Sequence, residues 1–222
     1  MMNKKPRKET ISMRAPGRPK AGADQASAYN DILMTASRLF MEYGYEAVSL
    51  QQIASLCQVT KASIYYHFSS KPELFTIAIT RMMAMGMQQT TLRLEEPGTL
   101  KERLVNVAAA KMQQSHVDTE TMMREAETYL NAEQFAQIRD AENRIFGVLA
   151  THFQQEMDHG YLRRANPMLL AQAFTSLLML ANREDVRQMH GTIVELAEEL
   201  VGLFLNGAVK QPLRICFPSS PS

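Results

Sequence analysis

Between Val59 and Phe68 the chain gathers one ammonium (Lys61), two hydroxyls (Thr60 and Ser63), two phenols (Tyr65 and Tyr66) and one imidazole (His67). All are hydrogen-bond donors, and no carboxylate stands among them. Such a set suits recognition of phosphates and base edges. It does not suit hydrolysis or group transfer, and nothing elsewhere supplies those. The chain has no nucleophile elbow, phosphate-cradling loop, cysteine ligand set or paired acid–base groups, so an enzyme is not expected. Ile64 and Phe68 interrupt the donors and are expected to face a core.

The flanking residues indicate how the segment is held. Ser49 with Gln52 has the pattern of a capping box, ahead of Ile53, Ala54, Leu56 and Cys57. Thr60 can cap a second short helix that runs through Phe68. Two capped helices joined by a tight turn over residues 49–68 have helix-turn-helix spacing. The first helix packs inward through Ile53, Ala54 and Cys57. The turn directs the second outward, so that its first residues reach the major groove. Lys61 is the best donor for guanine acceptors, and Ala62 can lie against a thymine methyl or permit close approach. Lys61, Tyr65 and Phe68 stand at i, i+4 and i+7. Tyr65 therefore sits between groove face and core face, able to read a base or to pack beside one.

From Ala28 to about Phe75 the sequence resembles the DNA-binding domain of the TetR family of transcriptional regulators. The resemblance is carried by Ala36, Leu39-Phe40, Gly44-Tyr45, the run 49–54 and the run 59–75, with Gly17-Arg18-Pro19-Lys20 similar to the basic arm that precedes the domain in many members. It implies that Lys61, Ala62 and Tyr65 approach bases. It implies that Ser49, Thr60, Ser63, Tyr66, His67 and Lys71 contact phosphates, with Arg18 and Lys20 contributing from the arm. His67 is open to a second reading, as a capping or packing residue. One position departs from the family pattern. Gln58 stands where glycine is usual in the turn, and a positive φ there costs a glutamine roughly 1 kcal/mol.

The rest of the chain is helical in pattern. The arm, residues 1–24, is rich in proline, glycine and basic residues and is expected to be disordered, as is the tail, 210–222. A first helix is expected from Ser27, with Gly44 just past its end. Ser70 with Glu73 starts a long fourth helix with no obvious stop before Pro97-Gly98. Further helices are expected over 100–115, 118–130, 132–159, 167–182 and 186–208. No stretch alternates as a strand would. The expected fold is all-α, about nine helices. A helix-turn-helix domain at 25–71 is joined by the long fourth helix to a bundle at 72–209.

Residues 1–71 carry ten Lys and Arg against five Asp and Glu, and residues 72–222 carry fourteen against eighteen. A basic end on a mildly acidic body fits an anionic partner at that end, or a solvated tail. Lacking a long apolar run, a signal-peptide pattern and a disulfide framework, the chain is expected in the cytoplasm, with no membrane partner.

For the bundle, the resemblance of the N-terminal segment implies the family's ligand-binding and dimerising role. Residues 167–181 and 192–205 are apolar over much of their circumference and are the expected homodimer surface. Sixteen methionines suggest a pliable pocket for a small hydrophobic effector. Met82, Met85, Met112, Met122, Met123 and Tyr129 are its candidate lining, and the alternative is plain core filling. Gln113, His116, Arg124 and His152 are further polar candidates. His152, Glu156 and His159 share a helix face, but neither a metal nor another cofactor is expected. Together these readings describe a homodimeric regulator bound to a palindromic operator on double-stranded DNA, most simply a repressor released by its effector. The alternatives are control by a protein partner in place of a small molecule, and activation in place of repression.

Overall fold

The computed structural model describes residues 21–113 and 119–208. The arm residues Arg18 and Lys20, His116 and the tail lie outside the described residues. Every regular element among the described residues is a helix: α1 Ala21–Tyr43, α2 Leu50–Leu56, α3 Lys61–His67, α4 Lys71–Leu94, α5 Leu100–Met112, α6 Thr119–Ala126, α7 Ala132–Asp158, α8 Pro167–Leu178, α9 Glu184–Arg187 and α10 Ile193–Ala208. A short 3-10 helix, Met179–Asn182, joins α8 to α9.

Local chemistry sets most boundaries. Ser49, Thr60 and Ser70 cap α2, α3 and α4, each accepting from a backbone N–H three residues on. Thr99 and Asn131 start α5 and α7 through complete capping boxes. Gly44, at φ +83°, closes α1. α1 starts at Ala21, ahead of the expected Ser27, and takes in the last residues assigned to the arm.

One expected helix is two. The 186–208 stretch breaks because Thr192 and Glu195 form a reciprocal cap that begins α10 afresh. Arg187 secures the break by donating to the carbonyls of Ala181 and Met112, the latter at 3.0 Å. The described residues therefore hold ten α-helices, against about nine expected.

Two apolar cores fill the molecule. The first joins α1, α2 and α3 to the start of α4 (Leu74 to Met83), to Met122, Met123 and Ala126 of α6, and to Ile138 and Ala141 of α7. The second joins Leu94, α5, the later part of α7 (Leu149 to Met157), α8 and α10. Only α4 and α7 contribute buried residues to both cores.

Gln58 is the one non-glycine residue with positive φ among the described residues, at +54°. At the position that departs from the family pattern, the turn thus takes the left-handed conformation that glycine favours. Gln58→Gly is expected to stabilise the protein by about 1 kcal/mol, raising Tm by about 2–4 °C. Thermal unfolding followed by circular dichroism checks this, and Gln58→Val, β-branched, should lower Tm in the same assay.

Candidate nucleic-acid interface

The α2–turn–α3 unit is built from its caps outward. Ser49 accepts from Gln52 N at 3.2 Å, and Gln52 Oε1 accepts from Ser49 N at 2.8 Å. Ile53 and Ala54 are fully buried, which seats α2 on α1. The chain then turns at Gln58, where Val59 N donates to Ala54 O at 3.0 Å. Thr60 Oγ1 accepts from Ser63 N at 3.0 Å and lies 2.8 Å from Ser63 Oγ. Ile64 and Phe68 are buried, and Phe68 stacks on Tyr29 of α1 at 5.1 Å.

With α3 anchored on that side, its other side is free. Lys61 and Ala62 are exposed at its first turn. Tyr65 is 49% exposed and Tyr66 73%. The Lys61 ammonium stands 5.8 Å from the Tyr65 ring centre, over the ring. Lys61, Ala62, Tyr65 and Tyr66 thus lie together on one open surface.

His67 and Lys71 are placed differently. His67 is half-buried, with its ring edge-on to Tyr29 at 5.7 Å and to Tyr66 at 5.0 Å. Its ring packs between α3 and Tyr29 of α1. The Lys71 ammonium lies 4.3 Å from the Tyr45 ring centre and 3.5 Å from Glu46 O. Burial pushes its pKa down, with Glu46 opposing. Lys71 is already engaged within the protein at the base of α4.

Two residues that the sequence did not single out hold this unit to the rest. Tyr29 supplies the ring under Phe68 and His67. Glu125 of α6 accepts from Tyr45 N at 3.0 Å, across eighty positions. Gly44 is held at a φ that favours glycine, and a Cβ there would come 2.5 Å from Glu125 Oε2 and displace that carboxylate. Beside it, Tyr129 donates to Glu46 Oε1 at 3.3 Å and its ring lies 5.2 Å from that of Tyr45. A contact so distant in sequence leaves no local pattern, whereas the aromatic Tyr29 on the apolar stripe of α1 was there to be read.

The bundle holds an open cleft of about 660 Å³ between α4 and α7. Met87, Thr91 and Leu94 line it from α4, and Asn143, Gly147, Val148, Thr151 and His152 from α7. None of the six residues proposed from the sequence lines it. Met112, Met122 and Met123 are buried in the two cores, and Met82 packs against the first. Met85 is exposed, and Tyr129 serves the contact with Glu46. Composition signals adaptable apolar filling but not which face a methionine occupies. Gln113 and Arg124 are exposed and also stand outside the cleft, so of the polar candidates within the described residues only His152 reaches it.

His152 is the polar centre of that cleft. Its Nε2 is buried without a hydrogen-bond partner, 3.6 Å from Glu156 Oε1. Glu156, also buried, is held by Arg103 at 2.8 Å. Burial and then the Arg103 charge push the His152 pKa down, with Glu156 opposing. Among the described residues no three His, Cys, Asp or Glu side chains gather as a metal site.

Residues 32–76 match the family model described as bacterial regulatory proteins, tetR family. An HTH-type transcriptional regulator of Bacillus subtilis is 33% identical over 76 residues, which are 34% of this chain and 39% of that protein. The chain spans less than two fifths of the length of the curated relatives it first matches. Solved structures are similar over most of the chain. AibR, solved with isovaleryl coenzyme A and operator DNA, superposes with a TM-score of 0.58 at 25% identity, covering 79% of this chain and 97% of that one. The regulator FadR of Bacillus subtilis, solved with stearoyl-CoA, superposes with a TM-score of 0.65 at 18% identity, covering 81% of this chain and 98% of that one, and so shares the fold.

Two measurements check the geometry. Glu125→Ala leaves Tyr45 N–H without its charged acceptor and should cost about 1–2 kcal/mol in chemical unfolding. Folding favours neutral His152, whose contribution is therefore full above its unfolded pKa of about 6.5 and lost as pH falls through the lower folded value. The urea midpoint should fall less between pH 7.5 and pH 5 in His152→Gln than in the native protein.

Proposed function

We propose that the chain, whose residues 32–76 match the model of the TetR family of bacterial regulatory proteins, is a homodimeric, ligand-responsive repressor of transcription, acting in the cytoplasm and released from a palindromic DNA operator by a small, mainly apolar molecule. The observation that carries this reading is the solvent face of α3. Lys61, Ala62, Tyr65 and Tyr66 are open on a helix whose opposite side is fixed by Ile64 and Phe68. Lys61 and Ala62 stand at the helix N-terminus, where free N–H groups favour a nearby phosphate. They read bases, with Tyr65 beside them. The Ser49 and Thr60 caps, Ser63 and Tyr66 align along the backbone, and Arg18 and Lys20 add charge from the arm.

Dimerisation follows from α8 and α10. Leu169 is 62% exposed and Leu203 58%, with Met168, Leu180 and Val194 also open. Apolar side chains of that size along two adjacent helices suit a twofold partner presenting the same face. Two copies of α3 then face successive major grooves, which is the basis for a palindromic site. That AibR was solved with both an acyl coenzyme A and operator DNA supports joint control by ligand and DNA.

Selection of binding sites from a random DNA pool tests the reading. A palindromic consensus is expected, and recovery of no enriched sequence would refute it. Lys61→Ala should relax preference at one base pair of each half-site by about 1–3 kcal/mol, measured by competition binding. An equal loss on every DNA would make Lys61 a phosphate contact instead. Leu169→Glu with Leu203→Glu, charges set beside Glu195, Glu198 and Glu199, should convert the dimer to a monomer in sedimentation velocity.

A further inference from the structure

Lys61 stands at the start of a helix with no acidic residue, so its ammonium has no counter-charge within α3. The hydroxyls of Thr60 and Ser63 pair with each other at 2.8 Å. What Lys61 meets is the ring of Tyr65: the ammonium lies over its face, 5.8 Å from the centre. That is inside the roughly 6 Å over which a ring face attracts a cation. Helix geometry produces the contact. Lys61 and Tyr65 are at i and i+4, on one face. A helical side chain leans toward the N-terminus, so the Tyr65 ring covers the turn from which Lys61 rises. Tyr65 is half exposed, and the rest of its surface is seated on the protein. Tyr66 has a different partner, the ring of His67, edge-on at 5.0 Å.

Ring and ammonium differ in freedom. A lysine stem turns about four bonds and a tyrosine ring about two. An unrestrained lysine at the start of α3 would sweep a wide arc. Its compact ammonium bonds a phosphate oxygen as readily as guanine O6 or N7. Phosphate contacts carry no sequence information. Holding the ammonium over a stiff ring narrows the arc before DNA arrives, so less freedom is lost on docking. A ring face attracts the cation without accepting a hydrogen bond in the usual sense, so the N–H donors stay free for a base edge.

We infer that Tyr65 is a positioning residue for sequence recognition: its ring holds the Lys61 ammonium toward a base edge, and the discrimination made by Lys61 depends on that ring. The inference rests on the proposed reading of Lys61 as a base contact and adds the group that makes the lysine selective. Tyr65 then acts through Lys61 and not by touching a base itself. Its ring face is essential to the role, and its hydroxyl is not.

Competition binding of the full chain to the selected consensus and its single-base variants tests this. Tyr65→Leu should reduce preference by about two- to five-fold, the worth of an exposed ring–cation contact, at the base pair that Lys61→Ala relaxes. Tyr65→Phe, which keeps the ring and loses the hydroxyl, should restore that preference. In a Lys61→Ala background, Tyr65→Leu should cost the same pair nothing more. In the DNA-free full chain, the ring current should hold the Lys61 ε-methylene NMR signals upfield in the native and Tyr65→Phe proteins and release them in Tyr65→Leu. The inference is overturned if Tyr65→Phe loses as much as Tyr65→Leu, or if Tyr65→Leu acts at another base pair or adds its loss to that of Lys61→Ala. Those results would make Tyr65 a direct base contact. Lys61 signals indifferent to the ring would overturn it as well. Failure of the underlying reading looks different. Lys61→Ala losing affinity equally on every DNA removes the base contact and the inference with it. A base-specific Lys61→Ala beside an indifferent Tyr65→Leu removes the positioning role alone.

Discussion

The structure depends on the burial of Ile64 and Phe68. α3 is seven residues long, and a helix of two turns has no stability of its own in water. Its orientation comes from those two side chains, from the stack of Phe68 on Tyr29, and from the Thr60 cap. The mixed ring chemistry of Tyr65, Tyr66 and His67 follows from this arrangement. A helix half in a core and half open needs rings that tolerate both settings. His67 goes to the buttress, Tyr66 to solvent, and Tyr65 to the margin between. The Gln58 turn belongs to the same constraint. Positive φ at that position sets the angle between α2 and α3, and the chain retains it even with a side chain that disfavours it.

The apolar cores do not follow the line between a recognition domain and a bundle. The first core extends past α3 into α6 and the start of α7. The Glu125 carboxylate reaches the turn after α1, and Tyr129 lies against Tyr45. The base of the recognition unit is thus held by two routes, through α4 covalently and through α6 by contact. Lys71 joins them, since its ammonium covers the same Tyr45 ring that Tyr129 touches from the bundle side.

What was legible in the sequence is what is local. The Ser49, Thr60 and Ser70 caps, the Gly44 stop and the long fourth helix depend on residues within one turn of each other, and the structure has each where the pattern put it. The Thr192–Glu195 cap was equally local, but it lay inside an apolar run that read as continuous, so one helix was expected for two. Pocket placement was not legible for a different reason. Methionine suits a pliable cavity and a close-packed core alike, and the choice between them depends on which neighbouring helix each face meets. Met122 and Met123 enter the first core, where α6 meets α1; Met87, on the same long helix as Met82 and Met83, meets the cleft instead. Lys71 shows the same limit at a single residue: sequence gives it a charge at a helix start, and only the fold reveals Tyr45 beneath it.

The position of α4 sets how binding in one half could be felt in the other. At 24 residues it spans about 36 Å, with Lys71 beside the recognition unit and Leu94 in the second core. α7 runs alongside and is divided in the same way, with Ile138 in one core and Phe153 in the other. Close-packed cores do not deform gradually, whereas a seam with open volume can take up movement at small cost. The cleft is at that seam. Both cores share the two helices that flank it, and the Glu125 contact ties α6 to the turn after α1. On the proposed function, a ligand would alter DNA affinity by this route only to the extent that it preferred one arrangement of the seam, so the coupling would be bounded by that difference in affinity and not by how tightly the ligand bound.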